Sequence, residues 1–185
     1  MPITIKNMDI PDVKLVEPAV FNDTRGYFLE SYKKSCFENS GIKFDFVQDN
    51  HSFSVKNTIR GMHFQKKPYE QGKLVSVITG KIMDVAVDLR PNSKYFKKYV
   101  YAILSEENKK MLWVPPGFAH GFLAMEDSHV LYKVTSEYNK EYEAGIIWND
   151  PEIAIKWPVN SPLLSEKDLK LPFLKNIEKC LDNML

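Results

Sequence analysis

His63 stands in Ile59-Arg60-Gly61-Met62-His63-Phe64-Gln65, and Lys73 follows one turn and one strand later. An imidazole changes charge near neutral pH, so it is the side chain best suited to accept and release a proton there. A histidine taken alone is commonly structural. Arg60 and Lys73 put two cations near this one, an arrangement that can hold an anionic group. His120 lies in Pro115-Pro116-Gly117-Phe118-Ala119-His120-Gly121-Phe122, a Pro- and Gly-rich turn between strands, with a phenylalanine on either side of the ring. Asp168 closes Ser165-Glu166-Lys167-Asp168. Ser-x-x-Asp before an apolar run caps a helix, but a carboxylate bonded to a histidine also orients the ring and raises its basicity. Tyr132 and Tyr138 share a face of an alternating segment. Strand tyrosines mostly pack, yet one held over a substrate carbon can act as a general acid. Arg25 sits in a tight Thr24-Arg25-Gly26 turn with Glu30 close behind, and as a loop arginine it is expected in solvent.

Other chemistries lack their residues. His63 and His120 with Glu70 as a third ligand make a thin metal set, and Gln65 stands where a second histidine beside His63 would help. No metal and no cofactor is expected. There is no phosphate-binding glycine loop, no dinucleotide fingerprint and no nucleophile elbow. Cys36 and Cys180 are too far apart and too few for a disulfide framework, and read as reduced thiols.

The elements that must position these residues are mostly strands. In LVSVITGKIMDVAVDL two strands meet near Thr79-Gly80-Lys81. In the second, Met83, Val85, Val87 and Leu89 take one face and Asp84, Ala86 and Asp88 the other. YVYAIL and MLWVP flank a polar SEENKK turn and suggest a hairpin. From Val130 to Tyr138 every second residue faces one way. Short helices are expected near Lys33–Asn39, stopped by Gly41, and from about Leu174. Around Phe46–Val55 the alternation puts Gln48, Asn50, Ser52 and Ser54 on one face, and Gly61, His63 and Gln65 share a face further on. Such polar strand faces suit a solvated exterior or a barrel that holds a polar ligand inside. Many short strands with Pro and Gly between them predict a mainly β sandwich or jelly-roll barrel with a few short helices.

The 185 residues fit one domain over 1–185, its body ending near Pro158 and an extension following over about 159–185. Lys plus Arg (25) almost equals Asp plus Glu (24), so net charge +1 gives no general attraction to nucleic acid or to an anionic membrane. No apolar run reaches the roughly 20 residues of a membrane span, and MPITIKNMDIPD lacks a signal-peptide core, so a cytoplasmic location is expected.

The segments FNDTRGYFLES, FVQDNHSFS, IRGMHFQ, QGKLV, DVAVDLR, VPPGFAHGF, GIIWNDPEIAIKWP and LSEKD occur in this order from about Leu15 to Pro172. Each is weak alone; eight in register closely resemble the dTDP-4-dehydrorhamnose 3,5-epimerase family. The resemblance implies a cupin-type jelly roll working as a metal-free homodimer on a dTDP-4-keto-6-deoxy sugar. It implies His63 as catalytic base, Asp168 as its carboxylate partner and Tyr132 as general acid. Lys73 and His120 then lie near the substrate ketone, and Arg25, Glu30, Gln48, Asn50, Arg60, Tyr138, Glu143 and Lys167 contact the substrate, some across the dimer. Alternatives are a relative that inverts one centre or takes another nucleotide sugar, a non-catalytic sugar-binding cupin, and a metal-dependent cupin oxygenase.

Overall fold

The computed structural model describes residues 3–185. The strands are β1 (Ile3–Asn7), β2 (Lys14–Pro18), β3 (Val20–Asp23), β4 (Gly26–Leu29), β5 (Gln48–Ser54), β6 (Ile59–Gln65), β7 (Lys73–Thr79), β8 (Lys81–Asp88), β9 (Tyr99–Ser105), β10 (Met111–Val114), β11 (Phe118–Ala124), β12 (Ser128–Val134) and β13 (Glu143–Gly145). Among the described residues helix is confined to α1 (Lys34–Asn39), α2 (Glu166–Leu169), α3 (Leu174–Ile177), α4 (Leu181–Met184) and two 3₁₀ turns. None is long and apolar enough to cross a membrane.

One sheet runs β1-β2-β10-β7-β12-β5 and a second β13-β6-β11-β8-β9, their strands paired antiparallel; β3 and β4 form a separate ribbon. This is the cupin-like jelly roll that the family resemblance implies, and one of the two architectures that the strand pattern predicts. The alternation within β8 explains how the layers bind together. Ile82 and Ala86 enter the core between the sheets with Val75, Leu112 and Val130, while Met83, Val85 and Val87 meet Leu174 and Leu181 of the C-terminal extension on the other face. Both faces of β8 are therefore covered, and Asp84 and Asp88 are buried on the inner one.

Three expectations need correction. The strands at 99–105 and 111–114 do not form a hairpin: β9 pairs with β8 in one sheet and β10 with β2 and β7 in the other. The SEENKK turn crosses between layers, as connections in a jelly roll do. The Val130–Tyr138 segment is not one strand, because β12 ends at Val134 and the chain bends before Tyr138. The tight turn before His120 ends at Gly117, so His120 lies within β11 and is buried there.

Candidate active site

Between the sheets lie two adjoining lobes of about 300 and 290 Å³, and His63, Lys73 and Tyr132 line both. Strict alternation would turn Arg60 and His63 to opposite sides of β6. The register instead shifts: His120 pairs with His63 but Phe122 with Arg60, so β6 carries one extra residue. This bulge brings Arg60 into the lobe that His63 also lines. Gly61 makes it possible. Its φ of +125° is unfavourable for a side chain, and a Cβ there would fall 2.5 Å from the Gly121 Cα. On the opposite sheet Gln48, Asn50 and Ser52 turn inward from β5, so the polar face read in the sequence lines the cavity.

Asp168 reaches His63 from 105 positions along the chain, with Nε2 to Oδ1 at 2.7 Å. Ser165 caps α2 by accepting the Asp168 N–H at 3.1 Å, so the cap motif is present, but the aspartate carboxylate is aimed outward at the imidazole. Burial, the largest influence, pushes that carboxyl up. The hydrogen bond and charge of His63, the Gly61 N–H and Ser165 outweigh it and hold Asp168 below the usual carboxylate range. An ionised Asp168 only accepts, so Nε2 carries the hydrogen and Nδ1 is left as the basic nitrogen.

Lys73 opens β7 and is buried, with Nζ 3.5 Å from the His63 carbonyl. Desolvation lowers its pKa to about 8, against the opposing charges of Asp84 and Glu143. His120 is buried beside it, its Nε2 2.7 Å from Asp84 Oδ1. Desolvation pushes the His120 pKa down, and Lys73 and His63 add to that, while Asp84 opposes them. The Asp84–His120 pair escaped sequence reading. Its signal was the pair of carboxylates, Asp84 and Asp88, on one face of a strand that is otherwise apolar after Lys81.

Tyr132 comes from the sheet opposite His63, in register with Asn50 and Val75. Burial, and to a lesser degree Glu143, pushes its phenol up despite Arg60, so the proton is retained at neutral pH. Tyr138 donates its hydroxyl to Glu143 at 2.8 Å, and Lys167 pairs with the other Glu143 oxygen at 2.5 Å. Burial raises the Glu143 carboxyl, but these two partners bring it below the usual range.

The structure thus gathers His63, Asp168, Tyr132, Lys73, His120, Arg60, Gln48, Asn50, Tyr138, Glu143 and Lys167 around one cleft. Arg25 and Glu30 line neither lobe. Arg25 is at the tip of the β3–β4 ribbon, exposed and paired with Asp23 at 2.6 Å. Ser52 and Gln65, on the polar strand faces read from the sequence, also line the cleft, as do Gln71, Phe122 and Ser165, to which the sequence gave no such place. Among the described residues no group of three or more His, Cys, Asp or Glu side chains could hold a metal ion.

Comparison with known proteins identifies the family. Residues 7–176 match the family model described as dTDP-4-dehydrorhamnose 3,5-epimerase. The chain is 52% identical over 163 residues to the dTDP-4-dehydrorhamnose 3,5-epimerase of Shigella flexneri, covering 87% of this chain and 90% of that one. A crystal structure of the Legionella pneumophila dTDP-6-deoxy-D-glucose-3,5-epimerase in complex with dTDP-4-keto-L-rhamnose superposes with a TM-score of 0.93 at 43% identity, covering 97% of each chain. The dTDP-4-dehydrorhamnose 3,5-epimerase of Bacillus anthracis, solved with TDP and pyrophosphate bound, gives 0.91 at 48% identity, over 94% of this chain and 100% of that one.

Proposed function

This chain belongs to the dTDP-4-dehydrorhamnose 3,5-epimerase family, and on that premise we propose that it converts dTDP-4-dehydro-6-deoxy-D-glucose to dTDP-4-dehydro-L-rhamnose in dTDP-L-rhamnose biosynthesis. The observation that carries the reading is a histidine on one sheet, bonded to an aspartate from the short helix α2, facing a protonated tyrosine on the other sheet, with a buried lysine in the lining of both lobes.

The ketone at carbon 4 acidifies the hydrogens on carbons 3 and 5. His63 Nδ1 takes one of these protons, and Asp168 stabilises the imidazolium that results. The electron pair moves onto the ketone oxygen, where the Lys73 ammonium meets the developing negative charge in a site sheltered from water. Tyr132 then returns a proton to the same carbon from the opposite face, which inverts it. Once His63 has released its proton to solvent and Tyr132 has regained one, a second round at the other carbon completes the change. No electrons leave the substrate, so the chemistry needs no redox partner. Arg60 and Lys167 supply positive charge for the diphosphate, and Gln48 and Asn50 supply amides for the nucleotide end.

Arg25 and Glu30 fit the same function through a homodimer. An isolated two-stranded ribbon is marginal in water, and β3–β4 also exposes Phe21, Tyr27 and Phe28 at 46, 55 and 58%. A second copy covering that apolar surface would let the ribbon carry Arg25 and Glu30 into the partner's cleft.

The test is NMR of the product formed in deuterated water. Deuterium at carbons 3 and 5 with inversion at both is the expected result. Label and inversion at one carbon would replace the proposal with single-centre epimerisation, and no exchange at all would leave a sugar-binding protein.

A further inference from the structure

Strand pairing in β12 stops at Val134, yet Tyr138 must be held over the cleft by the segment that follows. Three glutamines from three different parts of the fold hold it. Gln65 Nε2 donates to Tyr69 O at 2.7 Å and to Glu137 O at 3.2 Å, and its Oε1 accepts the Asn139 N–H at 2.7 Å. Gln71 Nε2 donates to Ser136 O at 2.7 Å. Gln48 Oε1 accepts the Tyr138 N–H at 2.9 Å. The central member is Gln65, 4% exposed and two positions from His63 on β6.

The chemistry of an amide limits what Gln65 can do. It has two hydrogens to give, and both are spent on backbone carbonyls of this segment and its neighbour; its oxygen already receives a backbone N–H. Little is left for a ligand, although the side chain borders the cleft. We propose that Gln65 is a positioning residue for the epimerisation: Thr135 and Ser136 are tied to Gly72 and Glu70, while the Gln65 bonds to Glu137 and Asn139 hold residues 137–139 and so set Tyr138, and the Glu143 that Tyr138 bonds, against the bound sugar. This rests on the proposed function.

Gln65→Leu leaves two part-buried carbonyls and an N–H without their Gln65 partner, and the segment relieves that by moving toward water. The His63–Asp168 pair makes no hydrogen bond to the segment, so proton abstraction survives once substrate is bound. The share of molecules with the segment in place falls, and the apparent affinity falls with it. KM should therefore rise roughly tenfold, with kcat changed no more than about threefold.

Gln65→Glu separates positioning from general damage. A neutral carboxyl donates one hydrogen and accepts another, so it restores two of the three bonds; an ionised one cannot donate and faces two carbonyl oxygens. Burial and the two facing carbonyl oxygens push this carboxyl up from its ordinary value, so relative to wild type at each pH the KM of Gln65→Glu should be raised at pH 8, as in Gln65→Leu, and fall toward wild type as the pH is lowered to 5. The Gln65→Leu ratio should stay flat. Gln71→Leu, which removes one bond to the same segment, should raise KM in the same direction by less. A Gln65→Leu KM within twofold of wild type would overturn the inference, as would Glu and Leu variants that track each other at every pH. If thermal melting shows Gln65→Leu unfolded, the pH profile of Gln65→Glu together with the Gln71→Leu KM decides. A wild type that turns nothing over sinks the function and this inference together, whereas an active wild type with unaltered variants sinks only the inference.

Discussion

Lys73 carries the most quantitative expectation for the reaction. Its pKa falls from 10.5 to about 8, chiefly by desolvation, which corresponds to a cost on the order of 3 kcal/mol for holding the ammonium in the cleft. The charged form, the one able to stabilise an enolate, is then about nine-tenths populated at pH 7 and about one-tenth at pH 9. Initial-rate kcat/KM, which reports the free enzyme, should fall about tenfold between those two values, with its midpoint near 8. Stability moves the other way. Between about 8 and 10.5 the unfolded chain binds more protons at this lysine than the folded one does, so the contribution of Lys73 to folding improves as pH rises through that window. A parallel melting series therefore separates loss of the Lys73 charge from alkaline unfolding. Lys73→Arg keeps its charge throughout and should show a lower but level profile in this range. Glu143→Gln removes a charge that raises the Lys73 pKa and should move the midpoint below that of wild type. A wild-type profile that stays flat from pH 7 to 10 would refute the assignment of Lys73 as the stabilising charge.

His63→Asn should lower kcat by about 10²–10⁴-fold, the usual cost of a lost general base, and abolish deuterium exchange; activity within a few-fold of wild type removes His63 from the mechanism. Tyr132→Phe keeps the ring and its packing, so enolate formation should survive. Substrate hydrogen should still exchange with deuterated solvent while little inverted product appears, and normal inversion would transfer the acid role to another group such as Tyr138. If the ribbon supplies Arg25 to the partner's cleft, co-expressed Arg25→Ala and His63→Asn chains should complement. Random pairing of the two inactive chains gives about one quarter of wild-type activity, and no recovery would place Arg25 outside the partner's site. Chelator-treated protein should keep its full rate, and a loss reversed by a single divalent ion would overturn the metal-free mechanism.

Much of this site was legible because a strand repeats every two residues. Which residues of β5 and of β8 share a face follows from alternation alone, whereas the inward turn of the polar β5 face and the burial of both β8 faces are set by the packing of the two layers. What alternation cannot convey is the neighbour across the ladder. SEENKK looks like a hairpin turn, yet β9 and β10 belong to different sheets, since nothing local tells a chain reversal within a layer from a crossing between layers. Alternation also misleads where a bulge intervenes, as when β6 gains a residue and brings Arg60 to the His63 side. The pairing of His63 with Asp168 was reached only through family resemblance, because their contact joins residues far apart in sequence.

The same two-layer architecture explains why these residues would suit inversion and not simply exchange. Had base and acid come from one strand, they would have approached a bound sugar from one side, and each proton would have returned to the face it left. His63 and His120 instead rise from the β6–β11 pair, while Tyr132 and Lys73 descend from β12 and β7. A flat ring held between the sheets by the groups on β5 would then meet its base on one face and its acid on the other. The Asp168 carboxylate reaches the base from outside either sheet, on a short helix that α3 and α4 follow into the C-terminal extension. Leu174 and Leu181 of that extension are fully buried against β8. Their burial anchors the segment beyond Asp168, so apolar packing on the outer face of one sheet helps fix the orientation of an imidazole on its inner face.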